Sequence, residues 1–420
     1  MRRYESYKDS GVEWLGDVPS HWELGRISTY FTERRTKVSD KDYPALSVTK
    51  LGVFPQWENV AKTNDGDNRK LARKGDFVIN SRSDRKGSSG IAKQDGSVSL
   101  INIVLQPKKI NSVYSEYLFK SYNFIEEFYR VGHGIVADLW TTRFEDIKNS
   151  LIIYPPLSEQ QKIAQFLDDK TAKIDQAVDL AEKQIALLKE HKQILIQNAV
   201  TRGLNPDVPL KDSGVEWIGQ VPEHWEVKKL KFVSKINQHT LPENTNGSLS
   251  IKYVDIGSVS FENGIEKVEN FSFKNAPSRA RRLANRGDIV VSTVRTYLKA
   301  ITMVKEEHQD CIFSTGFAVI TSNKCLEDNF FELYAKSDAF TEQVSVFSKG
   351  MSYPAINSTD LSNLWITVPP ISEQQKIADY LEIQVSKINQ AITLKTAHIE
   401  KLKEYKSVLI NDAVTGKVRV

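Results

Sequence analysis

Positive charge in this sequence gathers in two places whose residue types suit contact with a polyanion. Between Arg69 and Lys93 stand eight Lys or Arg (Arg69, Lys70, Arg73, Lys74, Arg82, Arg85, Lys86, Lys93) against Asp76 and Asp84, a net of +6. Between Lys274 and Lys299 stand seven (Lys274, Arg279, Arg281, Arg282, Arg286, Arg295, Lys299) against Asp288, again +6. Gly and Ser flank both blocks, as in loops that let backbone approach phosphates and put Arg into a groove. One block alone reads equally well as solvated surface, but two matched blocks favour the nucleic-acid reading. The whole chain carries only +4, so the signal lies in how the charge is focused.

Other candidates are weaker. In "VGHGIVADLW" His133 sits between glycines near Trp140 and Arg143, and the corresponding "SKGMSYPAIN" offers Lys349 and Tyr353. Tyr297 lies inside the second basic block. These residues either touch bases and phosphates or simply pack their loops. Trp14, Trp22, Trp217 and Trp225 read as core staples in preference to stacking platforms.

Catalytic patterns are absent. "YPPL" and "VPPI" have the paired prolines of an amino-methyltransferase motif without the polar residue before them or the aromatic after, and "FSTGF" at Phe313 lacks the Gly-rich continuation of a methyl-donor loop. There is no P-loop and no grouping of acids with Lys that suggests a nuclease. Cys311 and Cys325, the two cysteines, make neither a disulfide framework nor a zinc site, so no metal is expected. No apolar run of about 18 residues spans a bilayer, and "MRRYESYKDS" lacks a signal-peptide core. A cytoplasmic protein is expected.

The elements that must position these residues are repeated. "KDSGVEWLGDVPSHWE" from Lys8 returns 203 residues on, at Lys211, as "KDSGVEWIGQVPEHWE". "PPLSEQQKIA" from Pro155 returns 214 residues on as "PPISEQQKIA" from Pro369, and "KEHKQILIQNAVTRG" from Lys189 returns at Lys403. Between these anchors the copies hardly match. The order is anchor, variable domain, arm, stated twice, which is a domain duplication.

From Ser158 to Thr201 no Pro or Gly intervenes, so one helix of about 65 Å is expected, opened by Ser158 and Gln161 at capping-box spacing. Leu167, Ile174, Ala181, Leu188 and Leu195 recur every seven residues, with Val178, Ile185 and Ala199 between, a coiled-coil seam. The second arm repeats it with Leu381, Ile388, Leu402 and Leu409, while Lys395 stands where the first has Ala181. Antiparallel pairing of the arms is expected. "GDFVINSRS" and "GDIVVSTVR" read as turn then strand, and the stretches ending at Gly132 and Gly350 as helices closed by Gly. The expected fold is therefore α+β: two mixed α/β domains separated by two long antiparallel coiled-coil helices in a pseudo-twofold internal repeat. The boundaries are 1–154, 155–204, 205–368 and 369–420.

With the anchor "SGVEWLGDVPSHW", the arm start "PPLSEQQKIA" and the arm end "AVTRGL" each present twice, the chain resembles the specificity subunits of type I restriction-modification systems over its full length. The resemblance implies two target-recognition domains, each reading one half of a bipartite, asymmetric site on double-stranded DNA, in a subunit with no catalysis of its own. It implies two modification subunits that bind S-adenosylmethionine and methylate adenine N6. It also implies restriction subunits that use ATP and Mg. Base contacts vary within the family and do not carry over. The arm motif does, as a structural and partner-facing element: Pro155, Pro156, Ser158, Glu159, Gln160, Gln161 and Pro369, Pro370, Ser372, Glu373, Gln374, Gln375. Two rivals are an enzyme fused to recognition domains and a coiled-coil scaffold with no DNA role.

Overall fold

The computed structural model describes residues 2–56, 66–134 and 140–420. It comprises two compact units, Met1–Glu182 with Thr396–Val420 and Lys183–Lys395. The arms are the helices Leu157–Arg202 and Ile371–Val414. Both unit boundaries cut through them, at 182/183 and 395/396. Each half-arm buries its apolar stripe in one unit and belongs to that unit's core.

In the first unit the core joins Trp22 of the anchor, Phe77 and Ile103 of the sheet, Tyr114 and Phe119 of a helix, and Leu167, Ile174 and Leu409 of the arms. In the second it joins Trp225, Ile289, Ile320, Phe330, Tyr334, Ile196 and Leu381. The heptad stripe is thus a seam toward arm and domain together. Within the second unit Gln184 meets Lys395 and Lys192 meets Asn389, so the arms run antiparallel there. In the first, Asp175 meets Lys406. Lys395 is accommodated in the seam because its Nζ donates to Gln184 Oε1 at 2.6 Å. A part-buried ammonium with an acceptor is tolerable where an unpaired one is not.

Each unit carries the same four-stranded antiparallel sheet. Its order is Ser89–Ile91, Phe77–Asn80, Asn102–Pro107, Phe31–Glu33 in the first unit. In the second it is Ile301–Met303, Ile289–Ser292, Phe317–Ser322, Ser234–Ile236. The strands after the two Gly-Asp turns are buried at all four positions, which is why they read as unbroken apolar runs. Entry and exit strands pair antiparallel: Glu23–Arg26 with Leu151–Tyr154, and Glu226–Lys229 with Trp365–Val368. The variable domain is thereby closed at its neck.

The anchor's wording now has a physical account. Tyr7–Asp9 and Asp17–Pro19 form a hairpin, as do Leu210–Asp212 and Gln220–Pro222. At the turns Asp9 and Asp212 accept from the amides of Gly11 and Gly214, and Ser10 and Ser213 from those of Val12 and Val215. Such side chains replace backbone acceptors in tight turns. Gly11 and Gly16 take φ of +65° and +63°, where a Cβ is unfavourable. Trp22 and Trp225 are fully buried.

The arm starts differ from the expected capping box. It is Gln160, one residue before Gln161, that turns back, donating to Pro155 O and accepting from Asn111 N. Gln374 does the same with Pro369 O and Glu327 N. Glu159 accepts from Trp22 Nε1 at 2.9 Å, and Glu373 from Trp225 Nε1 at 2.9 Å. Glu and Gln of the arm motif therefore face their own unit, which corrects the partner-facing expectation for Glu159, Gln160, Glu373 and Gln374. Its outward residues are Pro156, Ser158 and Gln161, with Pro370, Ser372 and Gln375.

Candidate nucleic-acid interface

Three segments distant in sequence meet in each unit. In the first, the chain leaving the buried strand Phe77–Asn80 enters a short 3-10 turn, Ser83–Arg85. The helix Tyr122–Arg130 ends just before His133. A third segment, Trp140–Thr142, lies between them. Thr142 N donates to Ser81 O at 2.9 Å and Ser83 N to Trp140 O at 3.0 Å, while His133 and Thr141 exchange two backbone bonds of 2.9 Å. Arg82 and His133 both bridge to Thr141. Of "VGHGIVADLW", residues 135–139 lie outside the described residues.

The second unit repeats this junction with other residues. The strand Ile289–Ser292 leads to the 3-10 turn Thr296–Leu298, and the helix Asp338–Phe347 leads to Lys349. Pro354–Ile356 lies between: Ile356 N donates to Thr293 O at 2.9 Å, and Lys349 and Ala355 exchange bonds of 2.8 and 2.9 Å. Val294 and Lys349 both bridge to Ala355. The segments of the basic blocks around Arg82 and Arg295 and the two Gly-containing loops, separate candidates in the sequence, thus meet in one place in each unit. The link was illegible because it runs through backbone bonds of Thr141 and Ala355, residue types that carry no signature of their own.

The junction gathers some of the expected side chains and disperses others. In the first unit Arg82 and Arg143 border a cleft of about 580 Å³. Arg143 caps the helix Phe144–Ile147, its amide donating to Asp146 Oδ2, while Asp146 Oδ1 lies 3.1 Å from His133 Nε2. Asp146, which orients both, was missed by residue-type reasoning. Arg85 is exposed 3.6 Å from Asp84, and Lys86 is tied to Glu126 at 2.6 Å.

Arg69 is a correction. It is buried in the strand Arg69–Ala72, its Nε donating to Ser97 Oγ at 2.8 Å and Nη2 to Ser97 O at 3.0 Å, and burial lowers its pKa. No phosphate reaches it without unfolding the strand. Lys70 is largely withdrawn too, held by Asn102 O at 2.8 Å and Glu33 at 3.4 Å. Lys93 is exposed away from the junction, near enough to Lys120 to oppose its charge.

In the second unit Arg279, Arg295 and Tyr353 line a pocket of about 380 Å³ whose floor is Thr315 and Gly316. These two residues are the "TG" of "FSTGF". Lys349 and Tyr297 are exposed beside it. Lys299 turns inward, donating to Thr341 Oγ1 at 3.2 Å. Arg281 packs 4.6 Å from the Phe273 ring centroid, and Arg282 lies in the strand Ala280–Leu283, Nη1 donating to Thr240 Oγ1 at 3.2 Å, with burial lowering its pKa. These two brace the sheet and do not line the pocket.

Among the described residues no group of three His, Cys, Asp or Glu is placed to hold a metal ion, and no helix is long and apolar enough to cross a membrane. What the two junctions offer is exposed, hydrogen-bonding cations on a rigid backbone frame.

A family model for the type I restriction modification DNA specificity domain matches residues 20–189 and 222–404, both copies of the repeat. The chain belongs to the type I restriction-modification specificity family. Over 96% of its length it is 26% identical to the type I restriction enzyme MjaVIII specificity subunit of Methanocaldococcus jannaschii, covering 94% of that protein. It is 25% identical to the putative MjaX specificity subunit of the same organism, over 97% of this chain and 96% of that one. The fold is shared with a chain from a study of complex assembly and conformational transition of the type I R-M system, with a TM-score of 0.73 and 16% identity over 96% of this chain and 99% of that one. The HsdS subunit of Thermoanaerobacter tengcongensis gives a TM-score of 0.57 at 17% identity, over 96% and 98% of the two chains. The α+β architecture and its doubled plan are those of a specificity subunit, a component for DNA target recognition.

Proposed function

We propose that each unit of this specificity subunit reads one half of a bipartite, asymmetric double-stranded DNA site through its three-segment junction, and that partner subunits supply the chemistry. The observation that carries the reading is the pair of junctions. The same backbone bonds hold Thr141 and Ala355 in place, while the side chains displayed around them differ: half-buried Arg82 with exposed His133 and Arg143 in one, exposed Arg279, Arg295, Lys349 and Tyr353 in the other. A frame kept constant with its displayed residues changed is what reading two unlike half-sites requires. A palindrome needs only one kind of reader.

Two modification subunits carrying S-adenosylmethionine would then methylate adenine in the site, and restriction subunits using ATP and Mg would act on unmodified DNA in the cytoplasm. This chain contributes no catalytic group in that scheme. The outward residues of the arm motif, Ser158, Gln161, Ser372 and Gln375, are available to the repeated partner. The paired strands Glu23–Arg26 and Leu151–Tyr154 mark where one reader can be exchanged. Replacing residues 24–150 with the matching segment of another family member should change one half of the methylated sequence in cells that also make the modification subunits. Adenine-methylation mapping reads this out, and simultaneous change in both halves would sink the two-reader proposal.

A further inference from the structure

Arg295 is held in a strained backbone conformation. It takes the left-handed conformation at φ 53° and ψ 49°, and Lys299 does so again at φ 47° and ψ 41°, enclosing the turn Thr296–Leu298. Residues bearing a Cβ adopt that region at a cost and persist there only where surrounding bonds overdetermine it. Those bonds are present. Leu298 N donates to Arg295 O, Lys299 N to Thr296 O and Thr296 N to Pro354 O. The buried Thr296 hydroxyl is 2.8 Å from Ser348 Oγ, which itself donates to Val344 O.

The strain aims one side chain. The Arg295 guanidinium carbon lies 5.2 Å from the centroid of the Tyr353 ring, at the mouth of the pocket shared with Arg279. Among the described residues no carboxylate lies within 4 Å of it, whereas Arg286 has Glu306 and Lys299 is bound to Thr341. A guanidinium within cation–π range of an aromatic ring is held in place while its N–H bonds stay free for a ligand. Two parallel donors on a fixed plane match O6 and N7 of guanine in the major groove. A phosphate also accepts the fork but is bound by the point charge of a lysine as well, so exchange of Arg295 for lysine separates the two.

Resting on the reading function above, we infer that Arg295, positioned by Tyr353, reads a guanine in the half-site of the second unit. Among the described residues the first unit has no such device. The matching position after its strand is Ser83, and the preceding Arg82 is in ordinary extended backbone at φ −88° and ψ 141°.

The test uses the full chain assembled with its modification subunits, with duplexes carrying every single-base change in the mapped site. Exchange of the second variable domain assigns which half that domain reads. Arg295→Lys keeps the charge and loses the planar fork. It should lose about 5- to 150-fold of discrimination at one G·C pair in that half, leaving the other half unchanged. Tyr353→Leu, which removes the ring beside Arg295, should weaken discrimination at the same pair.

A uniform fall in affinity in Arg295→Lys, with sequence preference intact, would make Arg295 a phosphate contact and overturn the inference. So would a second half-site with no G·C pair, even though the two-reader function would stand. Sequence-independent binding by the parent complex would instead remove the function itself. Thermal melts of both variants matching the parent exclude loss of fold as the cause.

Discussion

The clamp between anchor and arm is the same in the two units almost bond for bond, yet it is closed differently. Glu159 accepts from Trp22 Nε1 at 2.9 Å and lies 2.8 Å from His21 Nε2; Glu373 repeats both distances with Trp225 and His224. In the second unit the chain runs directly from arm into anchor through Gly203, whose added Cβ would sit 3.2 Å from Trp225. In the first unit the corresponding residue is Gly416, which meets Trp22 from the far end of the chain. There the joint gains bonds that the second lacks. Tyr4 donates to Glu159, Tyr7 to Gly416 O, and Arg2 bridges to Arg419. Where covalent continuity keeps the partners together a His, a Trp and a Glu suffice, and where it is missing the terminal segments add tyrosines.

Removing the buried ring should have the largest effect. Trp22→Ala or Trp225→Ala empties a fully buried site and should cost about 3–5 kcal/mol in the unit that carries it. The comparison predicts a difference in kind as well. Trp22→Ala should also release residues 416–420 to proteolysis, because only non-covalent contacts hold them against the anchor. Limited proteolysis with mass detection checks this. Equal protection of the C-terminus in both variants would show that the terminal bonds do not depend on the clamp.

A smaller and sharper contrast comes from the two glycines. Both have φ of +77°, so Ala at either should cost roughly 1–2 kcal/mol from the left-handed backbone. At Gly416 the new Cβ would also lie 2.4 Å from Pro19 Cδ and 2.9 Å from the Trp22 ring, so the anchor must move. Gly416→Ala should therefore destabilise more than Gly203→Ala in denaturant titrations. The reverse order would mean that the chain end relaxes more easily than the continuous joint.

These contrasts rest on features that the sequence displays unequally. The repeat was legible because the anchor depends on local chemistry: Asp9, Ser10 and Gly11 build a turn from their own side chains and φ, so the same fold needs the same letters. The arms were legible because burial of Leu167, Ile174 and Ala181 imposes a period. The junction was not. It depends on backbone bonds between residues about sixty apart, such as Thr142 with Ser81, and backbone bonds leave no trace in residue type. Charge density also misled at Arg69. A run of Lys and Arg looks like surface, but pairing of Arg69–Ala72 with Gly96–Val98 points alternate residues inward, and Ser97 supplies acceptors there. Gln160 and Gln161 are chemically alike, and only the direction of the first helical turn decides which one faces the core.

The smallest expected effect concerns pH and tests what Tyr4 adds to the first joint. Burial pushes the Glu159 carboxyl up, but hydrogen bonds from Trp22 and His21, with a further one from Tyr4, outweigh it and hold the pKa below the ordinary carboxylate value. Burial and the neighbouring Glu159 raise the Tyr4 hydroxyl, so it stays a donor throughout the accessible range. A carboxyl whose folded pKa is depressed contributes stability that is fully present above its unfolded value, about 4.3. That contribution is lost as pH falls through the folded value. The first unit should therefore lose stability below about pH 4.3 more steeply in the parent than in Glu159→Gln, which accepts a hydrogen bond but cannot titrate. At pH 7 the variant should be the weaker of the two, since it gives up the charge-assisted bonds. Tyr4→Phe in the parent background should flatten the pH dependence in part, having removed one donor of three. Urea midpoints of the first unit, followed by Trp22 fluorescence at each pH, make the measurement. Parallel pH profiles for parent and Glu159→Gln would mean that the clamp is held by shape alone, and that the added tyrosine serves only to fill space at the chain end.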